Sequence, residues 1–231
     1  MKESSKVECH CHTLYSKDCL TSLEALLQAC ERKGIDRLII TDHNTIQGAQ
    51  QAFKMDPKRV VVGEEIMTQA GELLAFFVQE EIPAGLPPLE AIRRLRQQNA
   101  FISVSHPYDR LRNGHWEADD LLTIAPLVDA IETFNARCVW WPAFNHQAQA
   151  FASQHDLAGT AGSDAHSAYE VGRATLLLPP FSNANDLRRV IRSAQFRVAL
   201  SPPWVFLASR RAKWLKKRQK RRQEQLKTRS I

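Results

Sequence analysis

Histidine and carboxylate side chains follow several β-rich runs of this sequence, at the points where those runs end. These positions are His10, His12, Asp42, His43, Glu64, Glu65, His106, Glu132, Asp164 and His166. Side chains two apart in a strand point to the same face, so both imidazoles of a His-x-His pair can reach one metal ion. Imidazole and carboxylate without thiolate suit Zn, Mn or Fe(II) in hydrolysis. A shared carboxylate can bridge two such ions about 3.5–4 Å apart, which activates water and clamps phosphoryl oxygens.

Two other interpretations compete with a metal centre. A single histidine after a strand is usually structural, but several elements that place such residues at one edge form a stronger signal than any member. Cys9 and Cys11 alternate with the His10–His12 pair and raise the possibility of a thiolate zinc site. The alternation of strand side chains places those thiols on the opposite face, which disfavours that site.

The elements that position these residues alternate between strands and helices. The patterns predict strands at 7–12, 37–41, 60–65, 72–78, 101–105, 129–134, 157–163 and 174–178. They predict helices from residue 23, after a capping box at Thr21–Glu24, and at 45–53, 88–98, 143–155 and 183–193. Such alternation indicates a parallel α/β fold, open or closed into a barrel. Function in these folds gathers at the carboxyl ends of the strands.

Composition narrows the class of protein further. The 231 residues are 44 % hydrophobic and 24 % charged, which excludes collagen, coiled coil and wholesale disorder. The net charge of +6 is uneven, because residues 210–231 carry eleven Lys or Arg and one acid. The sequence has no run of 18 apolar residues, so no membrane span is expected. Five cysteines and no apolar signal core favour a reducing cytoplasm without disulfides.

The order and spacing of five motifs resemble those of the PHP (polymerase and histidinol phosphatase) family. The motifs are ECHCHT, ITDHN, GEEI, VSHP and GSDAH, which run from about residue 7 to 178. HxHT with S-x-D, then TDH about thirty residues on and GSDAH later, is a specific combination. The resemblance implies a distorted seven-stranded, TIM-like β/α barrel over residues 1–205. It also implies two or three divalent metal ions (Mn, Zn or Fe) and hydrolysis of phosphate esters.

The resemblance also implies three sets of metal ligands. The first set is His10, His12, Glu65 and Asp164; the second is Asp18, His43 and His166; the third is Glu65, as a bridge, with His106. Two positions depart from the family pattern. Glu72 stands where many relatives have a histidine, so it either supplies an oxygen ligand or leaves the third site weak. Cys19 replaces the usual glycine after Asp18. Glu64 is the alternative to Glu65, and Glu132 is either a rim residue or a partner that orients a ligating histidine.

Catalysis and substrate binding need further side chains beside the metals. Asp42, His43 and His166 are the candidates for protonating the leaving alcohol, and the sequence does not choose among them. Arg110, Arg112 and Arg173 follow strand ends, where guanidinium groups suit phosphate oxygens; surface ion pairs are the alternative. His115, His146 and His155 are expected to be structural or at the surface. Trp140 and Trp141 are expected to pack on the barrel, with stacking on a nucleotide base as the alternative.

The expected function is therefore that of a cytoplasmic metal-dependent phosphoesterase acting on small phosphomonoesters or nucleotides. Residues 206–231 form a basic, helix-forming tail that is either solvated or contacts nucleic acid non-specifically. In the second case the protein is an exonuclease or an oligonucleotide-end phosphatase recruited by the tail. A non-catalytic metal-binding module and a C–N hydrolase are weaker alternatives, because the ligand set is almost complete and no bridging lysine is evident.

Overall fold

The computed structural model describes residues 3–229, with the side chains of 220, 223, 224 and 226–229 left aside. The strands are β1 (Ser5–Cys11), β2 (Arg37–Ile40), β3 (Val60–Met67), β4 (Glu72–Phe76), β5 (Phe101–Val104), β6 (Ala130–Asn135), β7 (Ala158–Gly162), β8 (Ala174–Leu178) and β9 (Gln195–Val198). The helices are α1 (Leu23–Arg32), α2 (Gln47–Met55), α3 (Pro88–Gln97), α4 (Ala118–Ile124), α5 (Ala143–Gln154), α6 (Ala184–Val190) and α7 (Val205–Arg229).

The strands form one sheet that nearly closes into a barrel. Its order is β7-β6-β5-β4-β3-β2-β1-β8-β9. The chain after β7 meets the end of β1: the His12 amide donates to the Ala165 carbonyl (2.9 Å), and the Ala165 amide donates to the His10 carbonyl (3.3 Å). The prediction of a distorted β/α barrel is confirmed. The strand patterns predicted β8, and both β8 and β9 extend the sheet beyond β1, so the sheet has more strands than the seven that the resemblance implies.

Two strands run against the expectation of an all-parallel sheet. β4 pairs antiparallel with both β3 and β5, and β8 pairs antiparallel with β1 on one side and with β9 on the other, so β9 again runs in the direction of β1. Only residues 68–71 connect β3 to β4, and a parallel crossover needs about a dozen residues or more. The reversal at β4 distorts the barrel and places Glu72, its first residue, at the same rim as Glu65.

Apolar side chains fill the layer between the sheet and its helices. On the opposite face of the sheet, which carries Glu65 and lies inside the barrel, Phe76 of β4 and Phe101 of β5 are fully buried and stack with ring centroids 5.5 Å apart. The capping residue of α1 is Ser22 and not Thr21, because the Ser22 hydroxyl accepts the amide of Ala25 at 3.2 Å. Helix α4 and strand β9 were not predicted. Within the described part of the chain, no helix has both the length and the apolar character needed to cross a membrane.

Candidate metal centre and phosphate pocket

The rim at the carboxyl ends of the strands gathers the predicted metal ligands into one buried group. His10 and His12 end β1, Glu65 lies near the end of β3, and His106 follows β5. Asp164 follows β7 with a positive φ of 50°. A residue other than glycine in that left-handed region is strained, and such strain clusters at functional sites.

The first predicted ligand set converges around a single point. The His12 Nε2 atom lies 3.2 Å from the His10 Nε2 atom, 3.4 Å from Glu65 Oε2 and 3.2 Å from Asp164 Oδ1. His10 Nε2 lies 3.3 Å from Glu65 Oε1 and 3.7 Å from Asp164 Oδ1. Two imidazoles and two carboxylates therefore face one another. These four groups are the donor set of a divalent cation site.

The second and third sets adjoin the first through Glu65. Asp18 Oδ1 lies 3.5 Å from His43 Nε2 and 3.3 Å from His166 Nε2. His106 Nε2 lies 3.2 Å from Glu65 Oε1 and 3.5 Å from Glu72 Oε2. Glu72 thus stands where it could replace the histidine that many relatives carry, and His43, Glu65 and Glu72 form one possible cation group.

Hydrogen bonds from neighbouring groups set the tautomers of the first two histidines. His10 Nδ1 donates to Glu132 Oε1 at 3.0 Å, and His12 Nδ1 donates to the Ser16 hydroxyl at 3.0 Å. Each ring then keeps its Nε2 lone pair for a cation. Burial and the charges of His166 and His43 lower the pKa of His12 to about 4, which also favours the neutral ring. Glu132 is therefore an orienting partner in this geometry.

Replacing Glu132 by glutamine should weaken metal binding about 10- to 100-fold. The variant places an amide NH₂ against donors, since Glu132 accepts from His10, from the His106 amide (2.9 Å) and from Asn135 Nδ2 (3.0 Å). Competition of the protein with a chelating dye for Zn²⁺ or Mn²⁺ measures the affinity. Glu117→Gln, at an exposed position, is the matched control. An affinity within about twofold of the wild type would contradict the orienting role.

Asp42, which was predicted as a catalytic candidate, lies beside the cluster with its carboxylate bonded to the loop after β1. Its two carboxylate oxygens accept from the Thr13 amide (2.7 Å), the Thr13 hydroxyl (2.6 Å) and the Ser16 hydroxyl (2.6 Å). Asp42 is fully buried, and these bonds use both oxygens. It fixes the loop after β1 and, through Ser16, the ring of His12. The proton-transfer candidates that remain at the pocket are His43 and His166.

Several buried polar atoms of the cluster have no hydrogen-bond partner, and a cation fits them. Among the described side chains these include Asp18 Oδ1, His43 Nδ1, Glu65 Oε2 and His106 Nδ1. Buried polar atoms are rarely left unsatisfied. Burial raises the pKa of Glu65, but the charges of His10 and His43 outweigh burial and hold it well below its usual range. Glu65 is therefore ionised, and its charge is balanced by the neighbouring imidazoles. A divalent cation bound at the cluster would supply that balancing charge instead.

One of the three predicted arginines reaches this pocket. Arg112 pairs through Nη1 with Asp164 Oδ2 and through Nε with Asp109 Oδ2 (2.8 Å), and it lines a pocket of about 350 Å³. Arg110 is exposed outside that lining. Arg173 lies in another groove, where its guanidinium donates to the Tyr169 hydroxyl (2.6 Å). A position after a strand end does not determine where a long side chain lies. Arg110 and Arg173 lie outside the metal pocket, so we do not propose them as substrate ligands.

Sequence reasoning missed a second arginine and the helix that covers it. Arg137, 4 % exposed, lies with its Nη1 atom 3.1 Å from His166 Nδ1 and donates to Glu170 Oε1 (2.8 Å). It also donates to the Ser209 hydroxyl on α7 (2.7 Å). Arg137 follows β6, so the rim rule could have identified it.

Helix α7 forms one wall of the pocket. Lys213 Nζ lies 3.3 Å from Asp18 Oδ2, and the Lys216 ammonium donates to the carbonyls of Leu14 and Ser16. The first three turns of α7 therefore contact the rim, and no local sequence pattern signals this docking. The cationic side chains that line the pocket are Lys17, Arg112, Arg137, Arg210 and Lys213.

The remaining candidates lie away from the cluster. Glu64 points to the other side of β3, where it accepts the Ile82 amide (3.0 Å), and burial raises its pKa to about 8. Cys9 and Cys11 pack into two different apolar clusters, because an irregularity of β1 between Glu8 and Cys11 interrupts the alternation of side chains that was expected to place both thiols on one face. The three histidines expected to be structural or exposed stand outside the cation groups found among the described residues; they are His115, His146 and His155.

Comparison with known proteins places the chain in a family. A family model described as the PHP domain matches residues 8–111, and one described as PHP-associated matches residues 142–196. The uncharacterized protein MJ0417 of Methanocaldococcus jannaschii is 36 % identical over 172 residues, which are 73 % of this chain and 68 % of that protein. The chain belongs to the PHP family. A second protein of that organism, MJ1587, is 33 % identical over 144 residues, or 57 % of this chain and 82 % of the relative.

Solved structures with low sequence identity share the PHP fold. PsfC from Pseudomonas syringae has a TM-score of 0.68 at 18 % identity, over 92 % of this chain and 99 % of that one. A Bifidobacterium adolescentis protein assigned as a metal-dependent phosphoesterase has a TM-score of 0.55 at 17 % identity, covering 70 % and 87 % of the two chains. The lesion-specific endonuclease PfuEndoQ from Pyrococcus furiosus has a TM-score of 0.56 at 11 % identity, covering 87 % and 60 %.

The two matched segments hold the PHP motifs but leave out part of the pocket. His10 to His106 lie within the first segment, and Asp164 and His166 lie within the second. Arg137 lies between the segments, and α7 begins at Val205, beyond both of them. The metal cluster is thus the part of this pocket that the family models cover, whereas Arg137 and the α7 wall lie outside them.

Proposed function

We propose that this PHP protein is a metal-dependent phosphoesterase that hydrolyses phosphate monoesters, with nucleotides among its substrates. The observation that carries the proposal is one cluster of four histidines and four carboxylates, arranged in adjoining ligand sets beside a cationic pocket. They are His10, His12, His43, His166, Asp18, Glu65, Glu72 and Asp164. His106 adjoins them through Glu65. Membership of the PHP family supports the same reaction class.

Two or three divalent cations, Mn, Zn or Fe, fit the three ligand sets. Such cations supply Lewis-acid charge stabilisation and lower the pKa of water at neutral pH. The chain's own residues divide the remaining work. His10 and His12 keep their lone pairs directed inward because Glu132 and Ser16 accept their Nδ1 protons. Arg112, which now pairs with Asp164, and Lys213, which now pairs with Asp18, are the nearest cationic groups for phosphate oxygens.

Proton transfer to the leaving alcohol falls to His43 or His166. Both rings contact Asp18 and line the pocket, whereas Asp42 is fully engaged elsewhere. His166 is the more constrained of the two, because its Nδ1 atom lies near the Asp164 carbonyl and near Arg137. His43 stands at the pocket mouth with 13 % of its side chain exposed, which suits exchange of a proton with solvent.

A second candidate is hydrolysis at the end of an oligonucleotide. The observation that favours it is α7, whose basic sequence continues away from a pocket wall formed by Arg210 and Lys213. A basic helix that leads into a phosphoesterase pocket would attract a polyanion without reading its bases. The endonuclease named above shares the fold, and its name gives a precedent for a nucleic-acid substrate, although not for action at an end. Five free, buried cysteines fit a reducing cytoplasm for either function.

Phosphate release by the purified, metal-loaded protein tests the proposal. The substrates are an aryl phosphate, a nucleoside monophosphate, a nucleoside bisphosphate and a short 5′-phosphorylated oligonucleotide, each with Mn²⁺, Zn²⁺ or Fe²⁺. We expect turnover that a chelator abolishes and metal restores. Bound metal without turnover on any substrate would overturn the proposal in favour of a binding module.

Deletion of residues 218–231 separates the two candidates. It removes six Lys or Arg but keeps Lys213 and Lys216, which contact the rim. Monoesterase function predicts unchanged rates on every substrate. Recruitment by the tail predicts that oligonucleotide turnover falls at least about tenfold at 0.15 M salt while turnover of the monophosphate stays the same.

A further inference from the structure

An aromatic groove opens beside the metal pocket. It encloses about 270 Å³, and its apolar lining residues are Leu111, Trp140, Trp141, Phe144 and Phe206. Trp140 and Trp141 precede α5, whereas Phe206 lies on the first turn of α7. The groove therefore forms where the end of the β6–α5 loop meets the start of α7.

The groove adjoins the metal pocket. Leu111, Arg112, Arg137 and Phe206 line both cavities. Arg112 contacts the metal-ligand candidate Asp164, and Arg137 contacts His166. A phosphate held at the metal cluster would thus lie next to the groove, with two guanidinium groups at the junction, and the group esterified to that phosphate would extend into the groove.

The two tryptophan rings of this groove are open to solvent. Trp140 is 59 % exposed and Trp141 is 61 % exposed, so the expected packing of both rings against the barrel is wrong. Phe206 is fixed on one side, because the Arg137 guanidinium stacks on its ring at 4.9 Å and the Trp140 ring centroid is 6.1 Å away. Large exposed rings lining one groove mark a binding site more often than a chance feature of the surface.

We propose that this groove binds the base of a nucleoside phosphate while the phosphate occupies the metal pocket. The inference rests on the proposed function and specifies its substrate class. Stacking on aromatic side chains is favourable for every base, because every base offers a π-face. The rings at this site supply such faces, and the two arginines separate them from the metal cluster.

The polar side chains of the groove favour a base over a sugar. Asp109 accepts from Arg112 Nε and from the Cys138 thiol, and Arg137 is bonded to Glu170 and Ser209. These groups are already engaged with one another, so few are free for the hydroxyls of a sugar. Ligand sites recognise polar groups through unengaged polar side chains. A flat, largely apolar group such as a base is therefore the occupant that this lining suits.

Equilibrium binding of two phosphates tests the groove directly. The probes are adenosine 5′-monophosphate and ribose 5-phosphate, which share the sugar phosphate and differ in the base. Calorimetry uses the metal-loaded wild-type protein and the phosphonate analogue of each phosphate, because a phosphonate is not hydrolysed. With these analogues, we expect Trp141→Ala to weaken nucleotide binding roughly tenfold and to leave ribose 5-phosphate binding unchanged. Trp141→Phe keeps a ring and should restore most of the affinity.

Trp204→Ala is the matched control, since Trp204 is 54 % exposed and stacks on Tyr169 outside the groove. It should change neither affinity. Three outcomes would overturn the inference: both probes bind equally in the starting protein, Trp141→Ala weakens them equally or not at all, or benzyl phosphate binds as tightly as the nucleotide. Because binding is measured without turnover, these outcomes are distinct from failure of phosphate release, which bears on the proposed function alone.

Discussion

Replacing His43 by alanine should lower metal-dependent phosphate release at least about a hundredfold. His43 Nδ1 lies 2.8 Å from Glu65 Oε2, and its Nε2 atom lies 3.5 Å from Asp18 Oδ1, so one ring joins two of the predicted ligand sets. Partners that merely orient a ligand typically contribute 10- to 100-fold. Loss of a ring inside the cluster should therefore cost no less than the upper end of that range. Initial rates with the best substrate of the panel, together with bound metal per chain, measure the effect.

His146→Ala is the matched control for this variant. His146 is exposed on α5 and lies outside the cation groups of the described residues, so its rate should stay within about twofold of the wild type. Both variants should unfold at the same temperature as the wild-type protein after chelation. A His43→Ala protein that keeps a tenth or more of the rate would show that His43 neither holds metal nor transfers a proton.

The cluster was predictable because its members follow rules that act over short distances. His10 and His12 share a face through strand alternation, and the carboxyl ends of the strands bring distant motifs to one rim. The same rule does not distinguish Asp42 from His43, because both follow β2. The side chains of these two adjacent residues point in different directions, and Asp42 accepts hydrogen bonds from the hydroxyls of Thr13 and Ser16. Loop geometry sets this direction, and a position after a strand does not encode it.

The pocket wall depends on packing between distant segments, which residue patterns do not reveal. The basic sequence of α7 predicts a solvated helix, because charged side chains repeat on every face. Its docking comes from Arg137, which bonds Ser209 at 2.7 Å across 72 positions, and from the Lys216 ammonium at the Leu14 and Ser16 carbonyls. These contacts join three separated segments, so only the assembled barrel could show that Lys213 faces Asp18.

Barrel closure depends on a residue that the motif analysis passed over. Glu8 lies two positions before His10 on β1, and the strand is irregular between Glu8 and Cys11. It is fully buried and accepts the Ser163 amide (2.9 Å), the Ser163 hydroxyl and the Gly172 amide (2.8 Å). Ser163 follows β7, and Gly172 precedes β8. One carboxylate thus joins β1 to the two segments that meet it where the sheet closes.

Replacing Glu8 by alanine should therefore destabilise the fold by at least about 3 kcal/mol. Each buried donor left without a partner costs about 1–3 kcal/mol, and this substitution leaves the two Ser163 donors and the Gly172 amide unpaired. Burial raises the pKa of Glu8 to about 7, but the donors remain whether the carboxyl is charged or neutral. Urea unfolding in the presence of a chelator measures the loss without the contribution of bound metal.

Glu31→Ala supplies the matched control, because Glu31 is an exposed carboxylate on α1. Its free energy of unfolding should stay within about 0.5 kcal/mol of the wild type. If Glu8→Ala shifted the free energy by less than about 1 kcal/mol with an unchanged urea slope, the closure would not depend on this carboxylate. The backbone bonds between Ala165 and the end of β1 would then suffice to hold β7 against β1. A large loss would instead show that one buried carboxylate, two residues before the metal-ligand candidate His10, is a main support of barrel closure.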